Sequence, residues 1–353
     1  MRTTRRRTPK GEFGRRRAPE RGDPHQAGSV VDRPESAGRV GSDAAGAGDA
    51  LVSRQAFLLL LGTPLVLAAW PSIPDPRVVT RSSAAFAASS FAGGALQIVA
   101  HEDDDLLFQS PDLLHDVQAG RRVRTVFVTT GDAAKGRGYW SSRERGSLAA
   151  YAQMAGVADA WTVSDAGVSA APLRMLTLTG APQISLVFMR LPDGNRRGTG
   201  MARYGNESLM KLWNGSIASI RAVDGSARYT ASALRNTFTE LMTTDGPTTV
   251  RTLDWTIPFG TGDNADHTAT ALFARQAHRG SRAGQTLFAY QGYPVWVRLP
   301  NVSGPDLAAK RRTFRTYATH DRLVCLEPWC AGDVVASVRL ARQYVTATES
   351  VGG

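Results

Sequence analysis

The sequence predicts an α/β fold with a mostly parallel sheet and helices on both faces. From about Leu96 onward, short apolar runs typical of buried strands alternate with longer stretches typical of helices. Of the 353 residues, 42% are hydrophobic, which is enough for one large core or two modest ones. Functional sites of such sheets form at the carboxyl ends of the strands, so residues that directly follow a strand are the first candidates.

The strands are predicted from apolar runs that end at turn-forming residues. The first two are LQIVA at 96–100 and RTVFVTT at 124–130, and the second runs into Gly131 and Asp132. Further strands are predicted at 160–163, 184–191, 250–255 and 286–291. Helices are predicted between them at 111–119, 142–156, 229–243, 267–278 and 306–318.

The first fifty residues differ from the rest of the chain. They contain 11 Lys and Arg and 7 Asp and Glu, and they are otherwise rich in Gly, Ala, Pro and Ser. Such a stretch buries too little apolar surface to offset its ordering entropy, so residues 1–50 are predicted to be a disordered basic tail. The rest of the chain shows no basic stripe interleaved with aromatic residues, which argues against a nucleic-acid partner.

An export signal is predicted at residues 51–87. Residues 56–70, AFLLLLGTPLVLAAW, are apolar but shorter than the about 20 residues of a spanning helix, as in a signal peptide. The preceding Ser-Arg-Gln resembles a twin-arginine signal with Gln55 in place of the second Arg, and Ala85-Phe86-Ala87 offers a cleavage site. We therefore expect an exported protein, by a Sec or Tat-like route, with transient membrane contact through this segment and a folded domain at 88–353. A membrane anchor and a buried helix are the alternatives.

The two cysteines lie close together in the segment CLEPWC. Cys325 and Cys330 have C-x4-C spacing without a nearby His, which does not fit a zinc knuckle. In an exported protein this spacing favours a local disulfide, and two free buried thiols are the alternative.

The segment AHEDDD at 100–105 carries the strongest chemical signal. His101 and four consecutive acidic residues directly follow the first predicted strand. The like charges repel one another, and a cation would relieve that repulsion. His101 and Asp104 are three residues apart, so a turn could direct both to one metal ion, while Asp103 points elsewhere within reach of an attacking water. A zinc site of His and carboxylate ligands fits this pattern, and a solvated acidic loop is the alternative.

A second segment, Gly262-Asp263-Asn264-Ala265-Asp266-His267, opens a predicted helix after a strand. His267 could supply a third metal ligand, although a single His is more often structural. Together the two segments resemble the PIG-L (LmbE-like) de-N-acetylase family, whose motifs are A-H-P-D-D-E and H-x-D-H. The resemblance also includes Gly131-Asp132, Leu191-Pro192-Asp193-Gly194, Lys310, Tyr317 and Asp321.

This resemblance implies a Rossmann-like fold and a zinc ion held by His101, Asp104 and His267. Asp103 would be the general base that deprotonates the attacking water, and Asp266 would orient a neighbouring side chain.

The resemblance also suggests two residues that contact the substrate. Asp193 and Arg143 are candidates for binding sugar hydroxyls, with a solvated helix charge as the alternative for Arg143. Three departures from the family pattern stand out: Glu102 replaces Pro, Asp105 replaces Glu, and Asn264 replaces a His that assists the oxyanion or the leaving group. Asn can donate a hydrogen bond but cannot carry a proton.

The function that these features imply is zinc-dependent hydrolysis of the acetamide of an N-acetylglucosaminyl-type sugar, which releases acetate and a free amine. The partner would be an N-acetylated amino sugar or glycoconjugate. A non-catalytic carbohydrate-binding protein that keeps the metal is the alternative, and Asn264 favours it. A two-metal phosphoesterase would need more His and Asp ligands than the sequence offers.

Overall fold

The structure is a computed structural model that describes residues 78–79, 93–244, 246–281, 284–324 and 334–350. The predicted tail at 1–50 and both cysteines lie outside the described residues. The predicted signal segment at 51–87 also lies outside them, except for Val78–Val79. The tail, the signal peptide and the disulfide therefore stay predictions.

The described strands form one large sheet and one small hairpin. The large sheet has nine strands in the order β1-β4-β5-β6-β3-β2-β9-β10-β11, and β7 pairs with β8. The central strands β6, β3, β2, β9 and β10 are parallel, whereas β5 and β11 pair antiparallel with their neighbours. The strands are β1 (Val78–Val79), β2 (Ala95–Val99), β3 (Val123–Thr129), β4 (Trp161–Asp165), β5 (Arg174–Leu178), β6 (Ile184–Leu191), β7 (Ile220–Arg221), β8 (Arg228–Tyr229), β9 (Thr249–Leu253), β10 (Thr286–Tyr290) and β11 (Val345–Ser350).

The helices form two groups. In one group α1 and α6 pack on α2. Helix α1 also contacts β3, and α2 also contacts β6. In the other group α3 and α4 pack on α5, which contacts β2, β9 and β10. The helices are α1 (Asp112–Gln118), α2 (Arg137–Ala155), α3 (Leu209–Trp213), α4 (Ala231–Thr244), α5 (Ala265–Ser281), α6 (Gly304–Ala318) and α7 (Val334–Leu340). This arrangement confirms the predicted α/β fold with a mostly parallel sheet and helices on both faces.

The structure adds elements that the sequence patterns did not predict. The antiparallel strand β11, with the sequence VTATES, has no apolar run, and none of its residues is fully buried. Strand β5 alternates in burial and is only five residues long. Helix α2 begins at Arg137, five residues before the predicted start at Ser142. Among the described helices, none is both long enough and apolar enough to cross a membrane.

The carboxyl ends of the parallel strands bring the candidate residues together. His101 follows β2, Gly131 and Asp132 follow β3, and Asp193 follows β6. Every residue of β2 is buried, which is typical of a strand covered on both faces and explains its mostly apolar sequence. The polar residues after these strands therefore lie at the edge where sites of α/β sheets form.

Candidate metal centre

The three predicted metal ligands lie together and are buried. One ligand atom from each of His101, Asp104 and His267 lies within 4.8 Å of the others. Asp104 lies between the two rings: its Oδ1 is 3.1 Å from His267 Nε2, and its Oδ2 is 3.4 Å from His101 Nδ1. The structure thus joins residues that are 166 positions apart in the sequence.

A tight turn after β2 sets the position of Asp104. The backbone N–H of His101 donates to Asp104 Oδ2 at 2.7 Å, and the backbone N–H of Asp104 donates to the His101 carbonyl at 3.3 Å. A π-helix, Asp105–Gln109, follows at once. Short π-helical segments are frequent at functional sites, and this one continues the chain directly behind the metal ligands.

The four consecutive acids point to different partners. Glu102 and Asp103 lie beside Arg143, Asp104 lies between the histidines, and Asp105 accepts a hydrogen bond from the Tyr151 hydroxyl. Burial raises the pKa of Asp105 to about 8, although the Tyr151 hydroxyl opposes this shift. A solvated acidic loop is therefore excluded, because Glu102, Asp104 and Asp105 are buried.

His267 is held by a carboxylate on its far side. Its Nδ1 lies 2.8 Å from Asp263 Oδ1, which directs Nε2 towards Asp104. Its ring packs edge-on against Tyr293, with centroids 4.7 Å apart. A side chain at Gly292 would meet Asp263 Oδ2 at 2.4 Å and His267 Nδ1 at 2.7 Å, so only glycine fits there. Burial alone would lower the pKa of His267, but Asp104 and Asp263 raise it to about 9.

His101 has a corresponding carboxylate in Asp266. His101 Nε2 lies 3.6 Å from Asp266 Oδ2, which also accepts the Gly194 backbone N–H at 2.8 Å. Asp266 therefore lies beside the His101 ring, the position that the predicted orienting residue would occupy. His101, Asp193 and Asp266 form a second buried group with ligand atoms within 4.8 Å of one another.

Asp193 connects two loops at this edge. Its Oδ2 accepts the Ala133 backbone N–H at 2.8 Å, and its Oδ1 accepts that of Asn195 at 2.7 Å. Both carboxylate oxygens therefore already bind protein groups, and the side chain is buried. Its role in binding sugar hydroxyls stays a prediction.

Arg143 is the main cation of the acidic side of the site. Each of its three guanidinium nitrogens has a protein partner, and the side chain is buried. This burial excludes the alternative of a solvated helix charge, while sugar binding by Arg143 stays a prediction. The partners are Asp103 at 2.7 Å, Glu102 at 3.1 Å, the Gly131 carbonyl at 2.5 Å, the Tyr317 hydroxyl at 2.7 Å and Asp321 at 3.0 Å.

A protein-family model matches the part of the chain that carries this site. The model of the PIG-L family, described as GlcNAc-PI de-N-acetylase, matches residues 96–278, which is more than half of the chain. The chain belongs to the PIG-L family. Membership supports a deacetylase, and the matched span includes every residue of both His/Asp groups.

Solved structures resemble this PIG-L domain at low identity. N,N'-diacetylchitobiose deacetylase from Pyrococcus horikoshii is 14% identical with a TM-score of 0.38, and the alignment covers 67% of this chain and 74% of that one. The A40926 pseudoaglycone deacetylase Dbv21 is 17% identical, with 65% and 81% covered and a TM-score of 0.36. A deacetylase of the teicoplanin biosynthesis pathway is 16% identical, with 64% and 83% covered and a TM-score of 0.39. These scores are too low to bear on the substrate, and a search of curated proteins gives no match.

The departure from the PIG-L pattern at Asn264 has a local structural role. The Asn264 side-chain oxygen accepts the Asp266 backbone N–H at 2.9 Å, and its carbonyl accepts that of Thr268 at 3.2 Å. Asn264 therefore caps the N-terminus of α5, a position that favours Asn. Its Nδ2 group makes no hydrogen bond to a described residue, and its catalytic role stays a prediction.

Sequence reasoning missed the roles of three supporting residues. Asp263 was not recognised as the partner of His267, although it lies one turn before it in the same motif. Asp132 organises the loop after β3, because its Oδ2 accepts the Gly136 backbone N–H at 2.7 Å and the Tyr204 hydroxyl. Tyr139, which donates to Asp321 behind Arg143, had no sequence signal, since these residues are 182 positions apart.

Proposed function

We propose that this PIG-L protein is a zinc-dependent N-deacetylase that hydrolyses the acetamide of an N-acetylglucosaminyl-type sugar and releases acetate and a free amine. The buried group of His101, Asp104 and His267 at the carboxyl edge of the sheet carries this proposal. Family membership supports the deacetylase chemistry, and the donor set supports the metal.

The residues of the site fit a zinc ion. Two imidazoles and one carboxylate leave a coordination position open, as in catalytic zinc sites. Asp263 and Asp266 contact the opposite nitrogens of the two rings, which is the usual support of zinc-bound histidines. In the described part of the chain, buried Asp263 Oδ2 and Asp266 Oδ1 have no hydrogen-bond partner, so the site has acceptor oxygens that its own donors do not satisfy. A bound zinc ion would supply Lewis acidity that polarises the acetamide carbonyl and stabilises charge on its oxygen.

Asp103 is the general base in this proposal. Arg143 holds its Oδ1 at 2.7 Å, while Oδ2 makes no hydrogen bond to any described residue and can accept a proton from water. Burial raises the pKa of Asp103 above its ordinary value, and Arg143 opposes that rise. Since Asn264 cannot carry a proton, Asp103 also returns the proton to the leaving amine.

The competing function is a carbohydrate-binding protein that keeps the metal but does not turn over. The observation that favours it is the commitment of the Asn264 side-chain oxygen to the end of α5, where the family commonly has a His. The two functions differ in acetate release. A binding protein would retain N-acetylated sugars unchanged.

The test measures acetate release from a panel of N-acetylated sugars by metal-loaded protein. Asp103→Asn should keep the metal and lower the rate by about 10²- to 10⁴-fold, the usual contribution of a positioned base. Asp104→Asn should lose metal, because an amide is a poorer ligand than a carboxylate. Asp224→Asn is the control, since Asp224 pairs with Arg190 outside the site.

Two outcomes would contradict the proposal. If Asp103→Asn loses the metal while Asp104→Asn keeps metal and activity, the two roles are exchanged. If wild-type protein binds a sugar of the panel without releasing acetate, the binding function is correct.

A further inference from the structure

Three large apolar side chains project into solvent beside the metal centre. Trp296 is 57% exposed, Val297 is 64% exposed and Leu299 is 80% exposed. We name them the apolar tip. The other exposed large hydrophobic residues among those described, Leu323 and Val345, are 45% and 46% exposed. An apolar group this exposed on a folded protein indicates a contact surface.

The backbone under the apolar tip is held in place. The Arg342 guanidinium donates to the Arg298 carbonyl at 2.7 Å, and the Tyr344 hydroxyl donates to the Leu299 carbonyl at 2.8 Å. Asn301 exchanges two hydrogen bonds with the Gln343 backbone, at 2.6 and 2.9 Å. The tip therefore cannot fold back to bury its side chains without breaking these contacts, so its exposure is built into the fold.

The apolar tip is connected to the metal centre through one short helix. Tyr293–Val297 is a 3-10 helix in which Tyr293 packs on the ring of His267. Side chains three residues apart lie on the same face of a 3-10 helix, so Trp296 lies one turn, about 6 Å, beyond Tyr293. A surface that contacts the tip would thus lie close to the helix that packs on His267.

The charge around the apolar tip is positive. Residues 291–303 and 339–344 contain Arg298, Arg339 and Arg342 and no acidic residue. Arg298 lies over the Tyr344 ring at 5.5 Å, and Arg339 lies over the Tyr293 ring at 4.1 Å. Both arginines therefore pack on aromatic residues that support the tip. Trp prefers the interface between water and lipid, and arginines favour an anionic lipid surface.

We propose that Trp296, Val297 and Leu299 insert into the interfacial layer of a bilayer with anionic headgroups, while the exposed Arg298 faces those headgroups and the partly buried Arg339 and Arg342 add positive charge behind it. The contact is peripheral, and it adds to any contact made by the apolar segment at 56–70. It places the lipid surface close to Tyr293, which packs on His267. This inference does not depend on the deacetylase chemistry.

The first experiment measures co-sedimentation of the full chain with vesicles of equal parts phosphatidylglycerol and phosphatidylcholine. A variant with Trp296→Ser, Val297→Ser and Leu299→Ser should bind at least about tenfold more weakly than wild type, because three apolar contacts are lost. The matched control carries Trp296→Phe, Val297→Ile and Leu299→Met, which keeps the tip apolar and should bind like wild type. Pure phosphatidylcholine vesicles should bind wild type more weakly than the anionic ones. Thermal melting and metal content check that both variants fold.

The second experiment locates the contact, because the segment at 56–70 is common to all variants. Brominated lipids should quench the tryptophan fluorescence of wild type more than that of Trp296→Phe, and the difference reports Trp296 alone. Equal vesicle binding by the serine variant together with no quenching difference would overturn the proposal.

Two other results would assign the surface differently and also overturn it. If the serine variant binds vesicles normally but has a raised KM for sugars with an apolar aglycone, the tip is a substrate subsite. If it binds vesicles normally but wild type forms a dimer that the variant does not, the tip is an interface between copies of the chain. Light scattering in solution detects such a dimer.

Discussion

Two buried charge clusters in this domain differ in how they are neutralised. In the first, named the Arg251 cluster, Asp116 on α1 accepts from Arg251 at 2.6 Å and from Arg121 at 2.8 Å, so each carboxylate oxygen has a cationic donor. In the second, named the site cluster, one arginine and two histidines face seven carboxylates. These carboxylates are Glu102, Asp103, Asp104, Asp193, Asp263, Asp266 and Asp321.

The difference separates a structural ion pair from a binding site. A buried charge is tolerated when the protein itself supplies its counter-charge and hydrogen bonds. The Arg251 cluster meets that condition. The site cluster does not, since Asp263 Oδ2 and Asp266 Oδ1 have no hydrogen-bond partner among the described residues. In the proposed function, a bound metal ion would balance its surplus of carboxylates.

The largest expected effect is on stability in the Arg251 cluster. Asp116→Asn leaves Arg251 buried without its carboxylate and should lower the free energy of unfolding by about 3–5 kcal/mol. Asp266→Asn in metal-free protein should change it far less, because burial raises the pKa of Asp266 and the folded state already disfavours its charge. Urea denaturation of both variants measures this. A larger loss for Asp266→Asn than for Asp116→Asn would remove the distinction between the clusters.

A smaller effect is expected for metal affinity in the site cluster. Asp263→Asn keeps the shape of the side chain but weakens its hold on His267 Nδ1, so zinc affinity should fall about 10- to 100-fold. Competition with a chelator measures this affinity. Asp224→Asn should bind zinc like wild type, and an equal loss in that control would show that the effect is not specific to the site.

The smallest effect, measured per pH unit, concerns a buried lysine without a close counter-ion among the described residues. Lys310 on α6 donates to the Arg342 carbonyl at 3.0 Å, and burial lowers its pKa to about 7. Between pH 7 and the unfolded value of 10.5, the unfolded state holds a proton that the folded state lacks, so this group makes stability rise with pH. Below pH 7 both states are protonated and this slope disappears.

Lys310→Met removes that dependence. Wild type should gain stability over the variant by up to about 1.4 kcal/mol per pH unit between pH 7 and 10, because one proton is involved. Urea denaturation at a series of pH values gives the difference, in which the other titrating groups cancel. Parallel curves for the two proteins would show that Lys310 is charged in the folded state.

The sequence by itself determined the central sheet and pointed to the candidate metal ligands. Strands β2, β3 and β6 lie in largely apolar runs because most of their residues are buried, and such runs are visible without a structure. His101, Asp104 and His267 were found because each lies in a short motif directly after a strand or at the start of a helix.

Only the tertiary structure decided what each acidic residue does. Asp103 and Asp105 are two positions apart, yet one binds Arg143 and the other Tyr151, and these partners lie 40 and 46 residues away in the sequence. The edge strand β11 likewise has no apolar run, because it lies at the edge of the sheet and pairs with β10 through backbone hydrogen bonds. Local patterns report burial and turns, whereas the pairing of a charge or of an edge strand depends on which distant segment folds against it.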